Sequence, residues 1–280
     1  MSTLIKFATF VWNITPSPSI REMYFSLFCR LARGHKRIVE IDGYRLELDL
    51  GQTIDVAVYL RRFERELVSA IEKYTKAGDV VFDIGANSGV HAIAFAKQVV
   101  HGKVYAFEPM SFAYKKLTTN IALNPALNVA VENIALSNEN NDSLDVSFRS
   151  SWRTDGVIDA HSDHVRCRKL DDWAVENKIN RLNIVKIDVD GFEFPVLTGG
   201  KETIKRFKPL VFMEVGVYHF KDADKNPITW LDQLGYHFWS ASSHAYLTPQ
   251  SMQRLLESPA MSGVTINILA SIDKSFLPVQ

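Results

Sequence analysis

Apolar residues along the chain repeat with two different periods. Over residues 36–49 they alternate: Tyr44, Leu46 and Leu48 fall on one face, Arg45, Glu47 and Asp49 on the other, and Asp42-Gly43 interrupts the run. Alternation around an Asp-Gly pair predicts a β-hairpin. Helical spacing predicts a helix over 20–33, closed by Gly34, and another over 53–76, broken near Arg61 and stopped at Gly78. From residue 79 onward, short apolar runs alternate with helical ones. The runs at 80–84, 103–108, 128–134, 182–188 and 209–215 read as buried strands, and 90–100, 111–123, 194–206 and 226–234 as helices. Such alternation predicts a parallel sheet with right-handed crossovers. The end departs from it: 236–241 and 264–270 are strand-like and separated by a mixed stretch, which predicts an added antiparallel pair. The expected fold is a Rossmann-like, doubly wound, mainly parallel α/β sheet over 78–280, with an N-terminal cap of helices and a hairpin over 1–77.

Composition narrows the class. The 280 residues carry 32 basic and 32 acidic side chains, so no basic excess calls for nucleic acid. Two cysteines, Cys29 and Cys167, are too few for a disulfide framework, which makes a reducing compartment the default. The apolar stretch 4–14 contains Lys6 and has 11 residues, against roughly 20 for a bilayer span. It lacks a small-residue cleavage pattern. A docked amphipathic helix is the first reading and peripheral membrane contact the second. A cytoplasmic chain without a transmembrane segment is expected.

The stretch 79–89, D-V-V-F-D-I-G-A-N-S-G, organises the rest. Strand, glycine turn and helix open a doubly wound sheet, where backbone approaches a ligand closely. A dinucleotide fingerprint is G-x-G-x-x-G, with its second glycine beside the pyrophosphate. Here that position is Asn87, the spacing from Gly85 to Gly89 is G-x-x-x-G, and Asp83 precedes the turn. A carboxylate repels a pyrophosphate and welcomes a cation, and S-adenosylmethionine carries an ammonium and a sulfonium. Glu108 ends the next strand, near the separation of roughly 20 residues at which an acid holds ribose hydroxyls. The bland reading is an α/β domain with another ligand.

Carboxylates gather further on. Residues 182–193, L-N-I-V-K-I-D-V-D-G-F-E, deliver Asp188 and Asp190 at a strand end, where alternation puts both on one face. Glu193 opens the next helix and Glu214 ends the next strand, so four acids are expected near one crevice. An alcohol that accepts a methyl group must lose its proton, and a carboxylate in reach can take it. The same acids suit Mg²⁺, which is the less favoured reading, and Asp188 or Glu193 that merely cap helices are the plainest. His91 and His219 rank below the acids. The long polar segment 150–164, with Trp152, Arg153, Asp155, His161 and His164, is read either as an acceptor lid or as a solvated excursion.

Together these residues resemble the FkbM family of S-adenosylmethionine-dependent methyltransferases. The resemblance rests on D-I-G-A-N-S-G (83–89), F-E-P (107–109), N-I-A-L-S (133–137), K-L-D-D-W (169–173), K-I-D-V-D-G-F-E (186–193) and M-E-V-G (213–216), with I-D-V-A-V-Y-L (54–60) upstream. It implies that Gly85, Asn87 and Gly89 hold the methionine end of the donor; Asp83, read from its place before the turn, is a further cofactor-binding candidate that faces the donor's positive charge. Glu108 would hold the ribose, and Ile134 and Ala135 the adenine edge. Asp188, Asp190 and Glu214 are the catalytic candidates. The family commonly has Glu where this chain has Asp190. Its members mostly O-methylate sugars or natural-product hydroxyls, which implies a small-molecule or glycan acceptor. The alternatives are a protein or nucleic-acid methyltransferase and a non-catalytic binding module. A nicotinamide dehydrogenase is disfavoured by Asp83 and Asn87.

Overall fold

The structure, a computed structural model, describes residues 36–150 and 159–273. The helices expected at 4–14 and 20–33 lie outside them. Strands β1 (Lys36–Ile41) and β2 (Tyr44–Asp49) form the hairpin, with Ile41 opposite Tyr44. Asp42 at φ 51° and Gly43 at φ 85° make its turn, the pair of left-handed positions that Asp-Gly tolerates. Tyr44, Leu46 and Leu48 are buried. Helix α1 (Thr53–Tyr59) follows, and Arg61, left-handed at φ 56°, separates it from α2 (Arg65–Tyr74).

The chain divides into two compact units. One gathers the hairpin, α1, Ala122–Asn124 and Asp145–Asp163. The other runs through Glu66–Ile121, Pro125–Leu144 and onward from His164, and it contains every side chain proposed for the chemistry. Its elements follow the expected alternation: β3 (Val80–Ile84), α3 (Val90–Gln98), β4 (Lys103–Phe107), α4 (Ser111–Ala122), β5 (Val129–Glu132) and β6 (Ala135–Ser137) come first. After β7 (Asn141–Ser150), β8 (Asp159–Lys169) and α5 (Leu170–Glu176) come β9 (Ile184–Ile187), α6 (Glu193–Gly199), α7 (Lys201–Phe207) and β10 (Leu210–Val215). The chain ends with α8 (Pro227–Gln233), β11 (His237–Ser240), β12 (Tyr246–Leu247), α9 (Pro249–Leu256) and β13 (Ile266–Ser271).

Eight strands form one sheet in the order β12-β11-β13-β10-β9-β3-β4-β5. The strands β10, β9, β3, β4 and β5 are parallel, and β13 lies antiparallel between β10 and β11. The C-terminal antiparallel pair is therefore present, and it extends the sheet on the β10 side. From β3 the chain moves outward to β4 and β5, then returns to place β9 and β10 on the other flank of β3. Strand order reverses between β3 and β9, and ligands of open α/β sheets bind in the crevice outside the carboxyl ends at such a reversal. The strands are buried because apolar helices cover both faces. Phe82, Phe107 and Trp173 stack edge to face, with centroids 4.7–5.5 Å apart, and seat β3 and β4 against α5.

Three local expectations change. The helix expected over 194–206 is two, α6 and α7, which meet at Gly200; a Cβ there would press on Leu170 at 3.0 Å. The mixed stretch 242–263 holds β12 and α9. Thr248 starts α9 by accepting the Ser251 amide, with Pro249 next, a start signal that was open to reading. Finally, β7 and β8 extend to Ser150 and from Asp159, so much of the expected 150–164 loop is strand. Trp152, Arg153 and Asp155 lie outside the described residues; His161 and His164 fall on β8.

Candidate active site

The turn after β3 is built by its backbone. Gly85 (φ 77°), Asn87 (φ 48°) and Gly89 (φ 86°) are all left-handed, and Gly89 opens α3. The Gly85 and Ala86 amides both donate to the Phe107 carbonyl at 3.0 Å, which locks the turn to the end of β4. Glu108 follows β4 and is nearly buried. Its Oε2 accepts the Asn87 amide and its Oε1 the Met110 amide, each at 2.9 Å. Burial pushes the Glu108 carboxyl up to about 7, although both amides favour its ionised form. Each oxygen keeps a second lone pair, the acceptor chemistry that two neighbouring ribose hydroxyls require. Asn133 ties the next loop to this end by donating to the Glu108 and Pro109 carbonyls at 2.9 Å. Ile134 beyond it is buried in the core, and Ala135 begins β6.

Behind the turn lies a charged group that the sequence reading passed over. Lys186 is 2% exposed in the middle of β9. Its Nζ is 3.2 Å from Asp83 Oδ1, 3.3 Å from Asp188 Oδ2 and 3.3 Å from the Gly85 carbonyl oxygen. Asp83 is fully buried, so the cation it meets is Lys186 and not a ligand. This corrects the expectation that Asp83 faces the donor: it braces the turn from within. Burial pushes the Asp83 carboxyl up against the pull of Lys186. Burial, with the Lys186 charge, holds the neighbouring His91 well below the ordinary imidazole range. The signal was present, since a lysine inside an otherwise apolar buried strand must be paired.

Asp188, Asp190 and Glu214 do converge: one carboxylate oxygen from each lies within 4.8 Å of the others. The reason differs from strand alternation. Strand β9 ends at Ile187, and a turn with Asp190 at φ 50° and Gly191 at φ 100° swings the second acid beside the first. The three environments are distinct. Asp188 meets Lys186, Glu214 accepts the Thr265 hydroxyl at 2.6 Å, and Asp190 is exposed. Partial desolvation beside its neighbours, then the charges of Asp188 and Glu193, push the Asp190 carboxyl up although the residue is exposed, with Lys186 opposing.

Glu193, the fourth expected acid, is not one of the three and lies beneath the turn that carries Asp190. It is fully buried; its Oε1 accepts the Val189 and Gly191 amides at 3.1 and 3.3 Å, and its Oε2 lies 2.6 Å from His219 Nε2. His219 Nδ1 accepts the Gly216 amide at 3.1 Å, so the ring proton sits on Nε2 and is donated to Glu193. Burial pushes the Glu193 carboxyl up, but the His219 and backbone hydrogen bonds outweigh it and hold it below the ordinary range.

The glycine turn after β3 and the three carboxylates after β9 and on β10 meet at the reversal of strand order between β3 and β9. The chain belongs to the FkbM methyltransferase domain family, whose model matches residues 83–238. It is similar to the 2-O-methyltransferase NoeI of Sinorhizobium fredii, 27% identical over an alignment of 167 residues that covers 52% of this chain and 65% of that protein. It is also similar to the hexuronic acid methyltransferase AglP of Haloferax volcanii, 26% identical over 164 residues, 58% of this chain and 67% of that one. Among solved structures, methyltransferase FkbM of Methylobacillus flagellatus superposes with a TM-score of 0.45 and 14% identity, covering 90% of this chain and 59% of its own. No helix among the described residues is long and apolar enough to cross a membrane.

Proposed function

We propose that the chain transfers a methyl group from S-adenosylmethionine to a hydroxyl of a sugar or glycosylated acceptor. The observation that carries this reading is the meeting of the Gly85 turn with the Asp188–Asp190–Glu214 cluster at the reversal between β3 and β9, inside the family domain. The residues present suit the donor. The left-handed turn of Gly85, Asn87 and Gly89 lies at the carboxyl end of β3, where the donor's amino-acid end would sit, Glu108 offers two lone pairs to its ribose, and the backbone at Ile134 and Ala135 would flank its base. Bound there, the donor supplies an electrophilic methyl group. The chain's own side chains then orient the acceptor and take its proton. Asp190 is the best-placed base: it is exposed to an entering hydroxyl, and its raised carboxyl holds a proton more readily than an ordinary aspartate. Phe192, 63% exposed beside it, offers an aromatic face to the apolar side of a sugar ring. The hexuronic acid named for AglP supports the same acceptor class.

The cluster serves a proton better than a metal. Lys186, shared with Asp83, lies 3.3 Å from Asp188, and the Thr265 hydroxyl donates to Glu214, so a divalent cation would meet a positive neighbour and an engaged ligand. The test is transfer of labelled methyl from S-adenosylmethionine to a panel of glycosides that includes hexuronic acids. Activity is expected to survive EDTA, and Asp190→Asn to lower kcat about 10²–10⁴-fold, the usual contribution of a general base. Loss on chelation with restoration by Mg²⁺ would make the same acids ligands.

Glu108 sets a pH dependence for the donor. Ribose hydroxyls donate to the ionised carboxylate, and a protonated carboxyl loses acceptor capacity. Because the Glu108 carboxyl sits at about 7, S-adenosylhomocysteine should bind roughly tenfold more tightly at pH 8 than at pH 6. Calorimetry at the two values checks this. Glu108→Gln should flatten the dependence and weaken binding throughout, since one of the two backbone amides then loses its acceptor.

A further inference from the structure

We infer that Glu193 and His219 are positioning residues that join the loop bearing Asp188 and Asp190 to the loop that follows Glu214. The inference rests on the reading that Asp188, Asp190 and Glu214 surround the reacting groups. One loop, 188–191, follows β9 and carries Asp188 and Asp190; the other, 216–219, follows β10, whose Glu214 is paired with Asn267 of β13. Neither is held to the other by a strand ladder, because β9 ends at Ile187 and β10 at Val215. The buried pair makes the connection. Glu193 reaches backward from the first residue of α6 to grip the Val189 and Gly191 amides, which lie upstream of the helix rather than within it. An ordinary helix cap would accept amides of the helix's own first turn. His219 grips the Gly216 amide, and the 2.6 Å bond between the two side chains closes the link.

Tyr218 fills the space between the same loops. A Cβ on Gly216 would come within 2.2 Å of its ring, so that glycine leaves room for it, while a Cβ on Gly191, at 3.7 Å, would make ordinary contact with the same ring. The His219 ring lies 4.3 Å from it, centroid to centroid. Three carboxylates repel one another; the β10–β13 ladder holds Glu214, and the loop that carries Asp188 and Asp190 would part from it if free. The link opposes that separation without touching the reacting atoms.

Substitutions at 219 separate its two contacts. Asparagine keeps an acceptor near the Gly216 amide but does not reach Glu193; glutamine reaches Glu193 but carries its amide away from Gly216. Either change is expected to raise amide exchange in peptides covering 188–193, which are distant in sequence, as well as in 214–219. Glu193→Gln is expected to produce the same paired change from the other side. It places an amide where the carboxylate accepted the imidazole proton. With donor affinity for S-adenosylhomocysteine within twofold of the unsubstituted chain, kcat should fall roughly tenfold to a hundredfold, the scale of a sub-ångström to ångström misplacement. A purely structural role would lower the melting temperature and leave kcat of the folded fraction unchanged. Exchange that rises only around 214–219, or coupled exchange with unchanged kcat, would overturn the inference. Should one variant unfold at the assay temperature, the other 219 variant and Glu193→Gln carry the test. A chain that methylates no sugar would instead overturn the functional reading, and the exchange measurement distinguishes the two because it needs no acceptor.

Discussion

Gly85→Ala is expected to abolish donor binding and to destabilise the fold by about 3–5 kcal/mol, combining left-handed strain with a steric conflict that no rotamer relieves. Gly85 sits at φ 77°, and a Cβ there would lie 1.8 Å from the Asp188 carbonyl oxygen. That oxygen belongs to the backbone just past β9, so relief requires β3 and β9 to part at the crevice. The neighbouring Asp188 amide donates to the Ile84 carbonyl at 3.1 Å, and this bond would be lost in the same movement. Gly78→Ala provides the comparison. Its φ is 84°, with nothing within 4 Å of the added carbon, so it should cost only the left-handed strain of roughly 1–2 kcal/mol. Urea unfolding of the two variants separates strain from contact. Equal stabilities would show that β3 and β9 are not held as closely as described.

Lys186→Met is expected to cost about 3–5 kcal/mol, because it leaves a fully buried Asp83 without its cation. The methionine fills nearly the same volume, so the loss is electrostatic rather than a cavity. The sign with pH follows from Asp83. Its carboxyl is already above the ordinary 3.8 in the folded chain, and removal of the lysine moves it further up. A raised acid contributes stability at low pH and loses it as pH rises through its folded value. The penalty of Lys186→Met should therefore be smaller at pH 5 than at pH 8, and Asp83→Asn added to it should recover much of the loss. Thermal melts of the single and double variants at both pH values measure this. A penalty independent of pH and unrelieved by the second substitution would mean that Lys186 acts through packing of its stem.

The two substitutions also mark how far the sequence could be read. The strands and the glycine turn were legible because buried parallel strands leave unbroken apolar runs, and because only particular residues accept left-handed turns. The pair Asp42-Gly43 and the Gly85–Asn87–Gly89 spacing are of that kind. The three acids were legible as strand-end carboxylates, although a turn at Asp190, not strand alternation, brings them together. What the sequence did not show was which partners lie across the sheet. Asp83 and Lys186 are 103 residues apart along the chain, and Glu193 and His219 are 26 apart; no local pattern states that they touch. Lys186 was nevertheless detectable as a charge in an apolar strand. The extension of β7 and β8 was hidden because polar residues such as Asp159, His161 and His164 read as loop until their pairing is seen.

Calorimetric titration of the unsubstituted chain with S-adenosylhomocysteine, with NADH run in parallel, tests the central claim most directly. The expected result is saturable binding of one S-adenosylhomocysteine per chain, lost in Gly85→Ala, with no heat from NADH. Binding of NADH in its place, or S-adenosylhomocysteine binding that Gly85→Ala leaves untouched, would contradict a methyl-donor site at the reversal between β3 and β9.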